Sequence, residues 1–497
     1  MSSPLYMMTE NNGHYKKVDL KLALAWLEEI NTVKTSDGER VYDLFLQGEK
    51  SLWMGVQHYL FESLKSLTKE VGVKSYGRQV IERREKSHLR FIADWFHKMN
   101  LLVWKVCASV RPKKLLVYTT DIIDPRLRCD FRFERIYRYL QSDKLPFYEI
   151  FHTTHLVRTI KNLARLRRPC IYIESFRYKL QSPIRDIHFQ DKGLDPVLRR
   201  WWKQNYRHFF QLIQLQKRRI HDLSKLLYKY KIRVLLCMDD FRSVPPLLLA
   251  CMGAGVKTII VQHGLLSRYH AGWNNPGIPQ RRLFSPDKFI VHAPYWKSVL
   301  DKYCPHLSQR AVITSGWTDY LKPVKKKPSK STVNILVIYE ALWPDHHEVR
   351  LFMSRLLRDG DYKIFFKTRP DENGDEQIEA YFGAKPRRDI NVVERLGNVD
   401  MGVFDVIVGS HSSLIYQLLV TKIPVIRMMT SYAFGEQLTT DGLTVPWFIE
   451  TNFSEVLEQA FSLSEEELDR RRRVFSGGGR YPNYEEIIKS VVEGAEV

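Results

Sequence analysis

Apolar residues run in two textures along the chain. Up to about residue 112 they recur at helical spacing within stretches of mixed polarity, LKLALAWLEEI, SLWMGVQHYLFESLKSL and SHLRFIADWFHKMNLLVWKVCASV, without strand-like alternation of any length. This predicts a helical region over 1–112. Short runs rich in β-branched and aromatic residues then take over: KKLLVYTT, PFYEIFHT, RPCIYIES, IRVLLCMDD, VKTIIVQHG, KFIVHAP and RAVITSG, several separated by helical stretches. Strands that are apolar throughout are covered on both faces, so the pattern predicts a parallel sheet with crossover helices.

The segment LKPVKKKPSKST (321–332) has two prolines, five lysines and nothing to bury, and reads as a linker. A second alternation follows, with strands in VNILVIYE, YKIFFKTRP, INVVER, FDVIVGS and IPVIRMM and helices between them. The tail is helical apart from a break at Gly477 to Gly479. The expected class is therefore α/β, with a helical extension over 1–112, one sheet domain over 113–322 and a second over 323–497 that carries the tail.

Composition narrows the partners. A chain of 497 residues, 44% hydrophobic, is globular and long enough for two or three domains. A formal charge of +21 calls for an anionic partner: nucleic acid, a membrane surface or a phosphorylated substrate. The basic runs, KRR (217–219) and RRRR (470–473) among them, are scattered and lack zinc-finger spacing or RRM-type aromatics, so nucleic acid is not expected. Six widely spaced cysteines without a CxxC pair read as reduced core residues of a cytosolic protein. No signal-peptide core or long apolar run is present, which leaves a cytoplasmic protein with a peripheral place on anionic lipid open to it. The aromatic and basic segment RRWWKQNYRHFF (199–210) suits such a contact, or a long amphipathic helix packed on the sheet, the preferred reading.

Two strand ends carry chemistry. Val234 to Gly264 reads as strand, acidic turn, helix and strand, and ends with His263 at a carboxyl-terminal edge, where open α/β sheets bind ligands. An imidazole there can take a hydroxyl proton near neutral pH. Asp239 and Asp240 close the neighbouring strand, where they could serve as bases, orient His263 or cap the next helix. In FDVIVGSHSS a strand runs into Gly409, Ser410, His411, Ser412 and Ser413 and then into a helix; the glycine turn, N–H groups and hydroxyls favour a phosphate. A serine N-cap alone would also place Ser412 there. The histidine pair at 346–347 lacks suitable carboxylate spacing, so no metal is expected.

The runs VQHGLLSRYHAGW, PDKFIVHAPYWKSVLDKY, VITSGWTDYL and VGSHSSLIYQLLVTKIPVIRM resemble, in that order and over about residues 230–430, the GT-B transferases of bacterial and archaeal surface polysaccharides. That group includes capsule polymerases, polysialyltransferases, Kdo transferases and teichoic-acid glycerophosphotransferases. The resemblance implies two Rossmann-like domains facing a cleft, 113–322 on the acceptor side and 323–497 on the nucleotide-donor side. It implies that Ser412 and Ser413, with Gly409 and Ser410, hold the donor's phosphate, that His263 is a base, and that Asp239 and Asp240 match an acidic motif with the same task. The chain departs from the group's His-Pro motif. FFKTRPDE puts Arg369 where the histidine would be, with Lys367 before it, and arginine clamps phosphate without protonating it. Gln417 stands where an acid often binds the donor ribose, and Glu340, ending the first strand of the second domain, joins it as a donor contact. Arg268, Tyr269, His270, Trp273 and Asn274 form a loop whose aromatics and amides suit an acceptor sugar.

The expectation is a glycosyltransferase that needs no cofactor, its nucleotide-sugar donor being substrate, and whose acceptor is a glycan or lipid-linked glycan at the inner membrane face. A GT-B-type nucleotide-sugar epimerase and a non-catalytic scaffold binding glycan or lipid are the alternatives.

Overall fold

The computed structural model describes residues 19–69, 99, 106, 113–120, 123–124, 128–143, 145–153, 171–174, 187–239, 244–315, 322–324, 332–340, 346–369, 373–383, 390–430, 432–476 and 481–494. Asp240, nearly all of the expected helical stretch 87–110, linker residues 325–331 and the Gly477 to Gly479 break lie outside them.

Seven strands, β1 (Leu115–Thr120), β2 (Phe147–Thr153), β3 (Ile171–Glu174), β4 (Val234–Met238), β5 (Lys257–Val261), β6 (Lys288–Val291) and β7 (Val312–Thr314), form a parallel sheet in the order β7-β6-β5-β4-β1-β2-β3. Six more, β8 (Asn334–Ile338), β9 (Lys363–Lys367), β10 (Ile390–Val393), β11 (Val406–Gly409), β12 (Val425–Met428) and β13 (Val445–Trp447), form a second parallel sheet in the order β10-β9-β8-β11-β12-β13. The expected α/β class with two parallel sheets is the one observed. Strand order reverses between β1 and β4 in the first sheet and between β8 and β11 in the second. Crevices for ligands open at such reversals.

Each sheet is apolar on both faces, as parallel sheets require. In the first, Leu116, Tyr118, Leu235 and Cys237 face one core and Leu115, Val117, Val234 and Leu236 another. Tyr484, Ile487 and Ile488 of the last helix enter that second core, so the tail, read with the second domain, packs against the first sheet. Its start is fixed by a capping box in which Asn483 Oδ1 accepts from Glu486 N (2.8 Å) and Glu486 Oε2 from Asn483 N (3.1 Å).

Helices α1 (Leu20–Thr32) and α2 (Gln57–Lys69) precede the first sheet, and the 34-residue α3 (Pro196–Lys229) packs against the Leu52–Val56 turn before α2. Asp195 caps α3 at Val197 N (2.8 Å) and Leu198 N (3.2 Å), with proline in the first turn. Of the segment 199–210, Trp202, Tyr206, Phe209 and Phe210 are buried; Trp202 meets Trp53 at 6.1 Å and Phe189 at 5.6 Å between centroids. These aromatics pack the core, as the preferred reading held, and are withdrawn from any lipid contact. The run Arg470 to Arg473 is likewise matched within its own helix by Glu467 and Asp469. Asn31 of α1 donates to Gln57 Oε1 and to the Pro276 carbonyl (both 2.8 Å) and accepts from Trp53 Nε1 (2.7 Å), which ties this region to the loop after β5.

Cys129, Cys237, Cys251 and Cys304 are buried. Among the described residues no helix is long and apolar enough to cross a membrane.

Candidate functional site

The apolar strand β4 hands over to Asp239 at the point where the first sheet reverses. Its N–H continues the ladder to the Val261 carbonyl (3.0 Å), and its side chain is fully buried. Asp239 Oδ1 accepts the backbone N–H of His263 (2.8 Å) and also pairs with His263 Nδ1. Burial pushes the Asp239 carboxyl upward, but the charge and hydrogen bonds of His263, with a contribution from His270, hold it below its ordinary 3.8. An ionised carboxylate accepts only, so Nδ1 carries the hydrogen and Nε2 is the basic nitrogen. His263 remains partly exposed. The pair therefore has the parts of a base and its orienter.

Gln262 steadies this turn: its Nε2 donates to the Gly264 carbonyl (2.7 Å) and its Oε1 accepts from His292 N (2.9 Å). Burial lowers His270 to about 3 and His292 to about 4, partly offset by Asp239, and both stay neutral. The Tyr484 ring from the last helix lies 6.4 Å from His292. Sequence reading passed over His292, although it follows β6 as His263 follows the end of β5. Applying the edge rule to every strand would have found it.

The loop after His263 departs from expectation. Trp273 is a core residue, its ring 4.9 Å from Phe289, and His270 is buried beside Asp239, so neither presents a surface to an acceptor. Tyr269 Oη donates to Glu436 Oε1 (2.7 Å) and Arg268 pairs with the same carboxylate, while Asn274 Nδ2 closes onto the Arg268 carbonyl. Gln437 Nε2 donates to the Leu266 carbonyl (2.7 Å), and Trp296 meets Tyr416 at 5.8 Å. Residues expected to grip an acceptor instead join the edges of the two sheets. Polar loop residues after a strand look alike in sequence whether they meet a ligand or another domain.

The second edge holds the largest correction. Glu340, after β8, is fully buried, and its carboxylate accepts from Ser410 N (2.7 Å) and Ser412 N (2.8 Å) at Oε1 and from His411 N (2.7 Å) at Oε2. The chain's own carboxylate thus takes the N–H groups expected for phosphate, and Glu340 is not turned toward a sugar. Burial raises Glu340 to about 7 against the pull of these N–H groups and of Arg427. The hydroxyls are engaged as well. Ser410 Oγ lies 3.1 Å from Thr430 Oγ1, and Ser412 Oγ caps the helix α4 (Ser413–Leu418) at Leu414 N (3.2 Å). Ser413 and Gln417 are half-buried positions of that helix. A Cβ at Gly409 would lie 2.2 Å from Ile415 Cδ1, so close packing alone requires glycine. Lys367 Nζ donates to the Thr368 carbonyl, and the Arg369 backbone is bracketed by Gln377 at 2.7 and 3.0 Å.

Arg427 is the residue here that sequence reading missed, although a lone arginine inside the apolar run IPVIRMM was its signal. It is fully buried, and its Nε donates to the Ser410 carbonyl (2.7 Å). From α2, Lys65 reaches the same neighbourhood, its Nζ 5.2 Å from the Tyr432 centroid, and the Tyr432 ring lies 4.8 Å from that of His411. A cavity of about 510 Å³ lined by Arg135, Tyr139 and Lys489 includes no residue of either edge.

No family model and no curated protein matches the chain. Among solved structures it is similar to a glycosyltransferase from Rickettsia africae ESF-5, with 12% identity over 77% of this chain and 98% of that one and a TM-score of 0.40. It is similar to MurG of Acinetobacter baumannii, with 12% identity over 77% and 100% and a TM-score of 0.44. A UDP-GlcNAc 2-epimerase from Methanocaldococcus jannaschii aligns at 12% identity over 76% and 99%, with a TM-score of 0.43.

Proposed function

We propose that the protein is a glycosyltransferase that moves a sugar from a nucleotide-activated donor to a hydroxyl of a surface glycan or lipid-linked glycan. The observation that carries this reading is the buried Asp239 holding His263 at the reversal point of the first sheet. In the reaction His263 Nε2 takes the acceptor hydroxyl's proton, and the acceptor oxygen bonds to the anomeric carbon. The bond from that carbon to the donor's phosphate oxygen breaks, and the nucleotide leaves with its electron pair. Asp239 stabilises the imidazolium as it forms. Lys367, which ends β9, and Arg369 just beyond it are the cationic side chains assigned to meet the charge that develops on phosphate. Attack with His263 as base inverts the anomeric centre. The net charge of +21 supports an anionic acceptor or membrane surface as the working environment. Membership of the capsule, polysialic acid, Kdo or teichoic acid groups rests on the motif order alone.

The test is titration and turnover with UDP, GDP, CDP, CMP and dTDP sugars, with and without glycan acceptors. Acceptor-dependent transfer supports the proposal, and acceptor-free conversion of the sugar identifies an epimerase. One observation favours a second reading, a non-catalytic glycan-binding or lipid-binding scaffold: Glu340 already fills the N–H groups of the Ser410–Ser412 turn. Glycan or lipid binding without any nucleotide affinity identifies that case.

A further inference from the structure

His263 stands just past the end of β5, which pairs with β4 on one side and β6 on the other. From the β4 side Asp239 holds it at the backbone N–H and at Nδ1. The β6 side has a clamp of its own. Gln262 donates from Nε2 to the Gly264 carbonyl (2.7 Å) and accepts at Oε1 from His292 N (2.9 Å), so the residues on either side of His263 are tied to the residue that follows β6.

That end of β6 is in turn backed by the last helix (Tyr484–Glu493). Tyr484 is fully buried, and its ring meets that of His292 edge to face, with 6.4 Å between centroids and 78° between planes. Its hydroxyl lies against Ser315, whose N–H donates to the Val291 carbonyl (2.8 Å) where β6 ends. The Arg135 guanidinium stands 5.9 Å from the Tyr484 ring, and Arg135 Nε lies 3.7 Å from Glu485 Oε1. The capping box at Asn483 fixes the first turn of the helix and with it the backbone of Tyr484.

His292 and Tyr484 add no charge to the pair. Burial lowers His292 to about 4 and raises Tyr484, so both are neutral where His263 works. They act on His263 through position, and burying them costs desolvation that two apolar side chains would avoid.

We propose that the last helix is a working part of the candidate base: Tyr484 is a positioning residue that fixes His292, and through Gln262 the turn that carries His263, so that the imidazole is held from both neighbouring strands. The proposal rests on the reading of His263 as base given above. It gives the tail a task at the edge of the first sheet beyond filling its core.

The experiment compares full-length wild type, Tyr484→Phe, Tyr484→Leu and Ile488→Ala, the last removing a buried side chain one turn along the same helix. Proton NMR follows the downfield signal of the His263 Nδ1–H, assigned by its loss in His263→Ala, and steady-state kinetics follow the nucleotide-sugar panel. Tyr484→Leu is expected to broaden or lose the signal and to lower kcat about 10–10²-fold with the donor KM unchanged. Tyr484→Phe, which keeps the ring, is expected to rescue both. Ile488→Ala leaves both rings unaltered and is expected to melt earlier but keep the signal and kcat. A folded Tyr484→Leu with the wild-type signal overturns the proposal. So does an Ile488→Ala that loses the signal to the same extent, because docking of the helix alone would then explain the effect. If Tyr484→Leu does not fold, Gln262→Met, which removes both side-chain hydrogen bonds at the next link, replaces it with the same two outcomes. Loss of the signal in Tyr484→Leu, beside a wild type that turns over no nucleotide sugar, sustains the brace and removes the transferase reading. Turnover by wild type with the signal unmoved in Tyr484→Leu does the reverse.

Discussion

Asp239 holds His263 at two points, through the backbone N–H at 2.8 Å and through Nδ1, across neighbouring strands of one parallel sheet. Main chain and ring are fixed by the same carboxylate, so the orientation of the imidazole is set before any ligand arrives. Asp239→Asn keeps the shape but removes the charge that stabilises the imidazolium. Turnover is expected to fall about 10²–10⁴-fold with nucleotide affinity unchanged, which steady-state kinetics beside calorimetry will separate.

The same pair has a signature in acid. Asp239 is held below its ordinary 3.8, so in acid the unfolded chain takes up the proton first. The stability this provides is complete above the unfolded value, at about pH 4 and higher, and is lost as pH falls through the folded value. Urea unfolding between about pH 5 and pH 3 should show wild type losing more stability than Asp239→Asn. Equal losses would place the acid sensitivity elsewhere.

Gly409 is required by packing. Gly409→Ala sets a methyl 2.2 Å from Ile415 Cδ1 and is expected to destabilise the protein by about 1–3 kcal/mol. Adding Ile415→Val removes the nearer clashing carbon and should recover part of that loss, as a double-mutant cycle in urea will show.

Trp273 separates an acceptor contact from a core residue. Buried against Phe289, it is expected to cost about 3–5 kcal/mol when changed to alanine. Trp273→Phe keeps most of the packing and should leave the acceptor KM unchanged. A raised KM in a stable Trp273→Phe protein would return this residue to the acceptor site.

Sequence alone was most informative where the physics is periodic. Apolar strand runs placed both sheets, and the edge rule placed Asp239, His263 and the GSHSS turn at the two reversals of strand order. It could not say what fills that turn. Glu340 and Ser410 lie 70 residues apart, and nothing local distinguishes an acid that reaches a ligand from one that reaches a backbone N–H. Nor could it show that Arg268 and Tyr269 meet Glu436, which stands 168 and 167 residues away from them. The packing role of the tail depended on Tyr484 crossing to the first sheet, which helical periodicity does not encode.

The most direct test of the account is turnover of the nucleotide-sugar panel by wild type and His263→Ala, with nucleotide affinity measured on the same samples. Acceptor-dependent transfer by wild type, and a His263→Ala protein that binds the same nucleotide equally well but transfers about 10²-fold more slowly or worse, is the predicted result. Undiminished transfer by His263→Ala would contradict the account, because the pair at the first sheet's reversal would then not be its base.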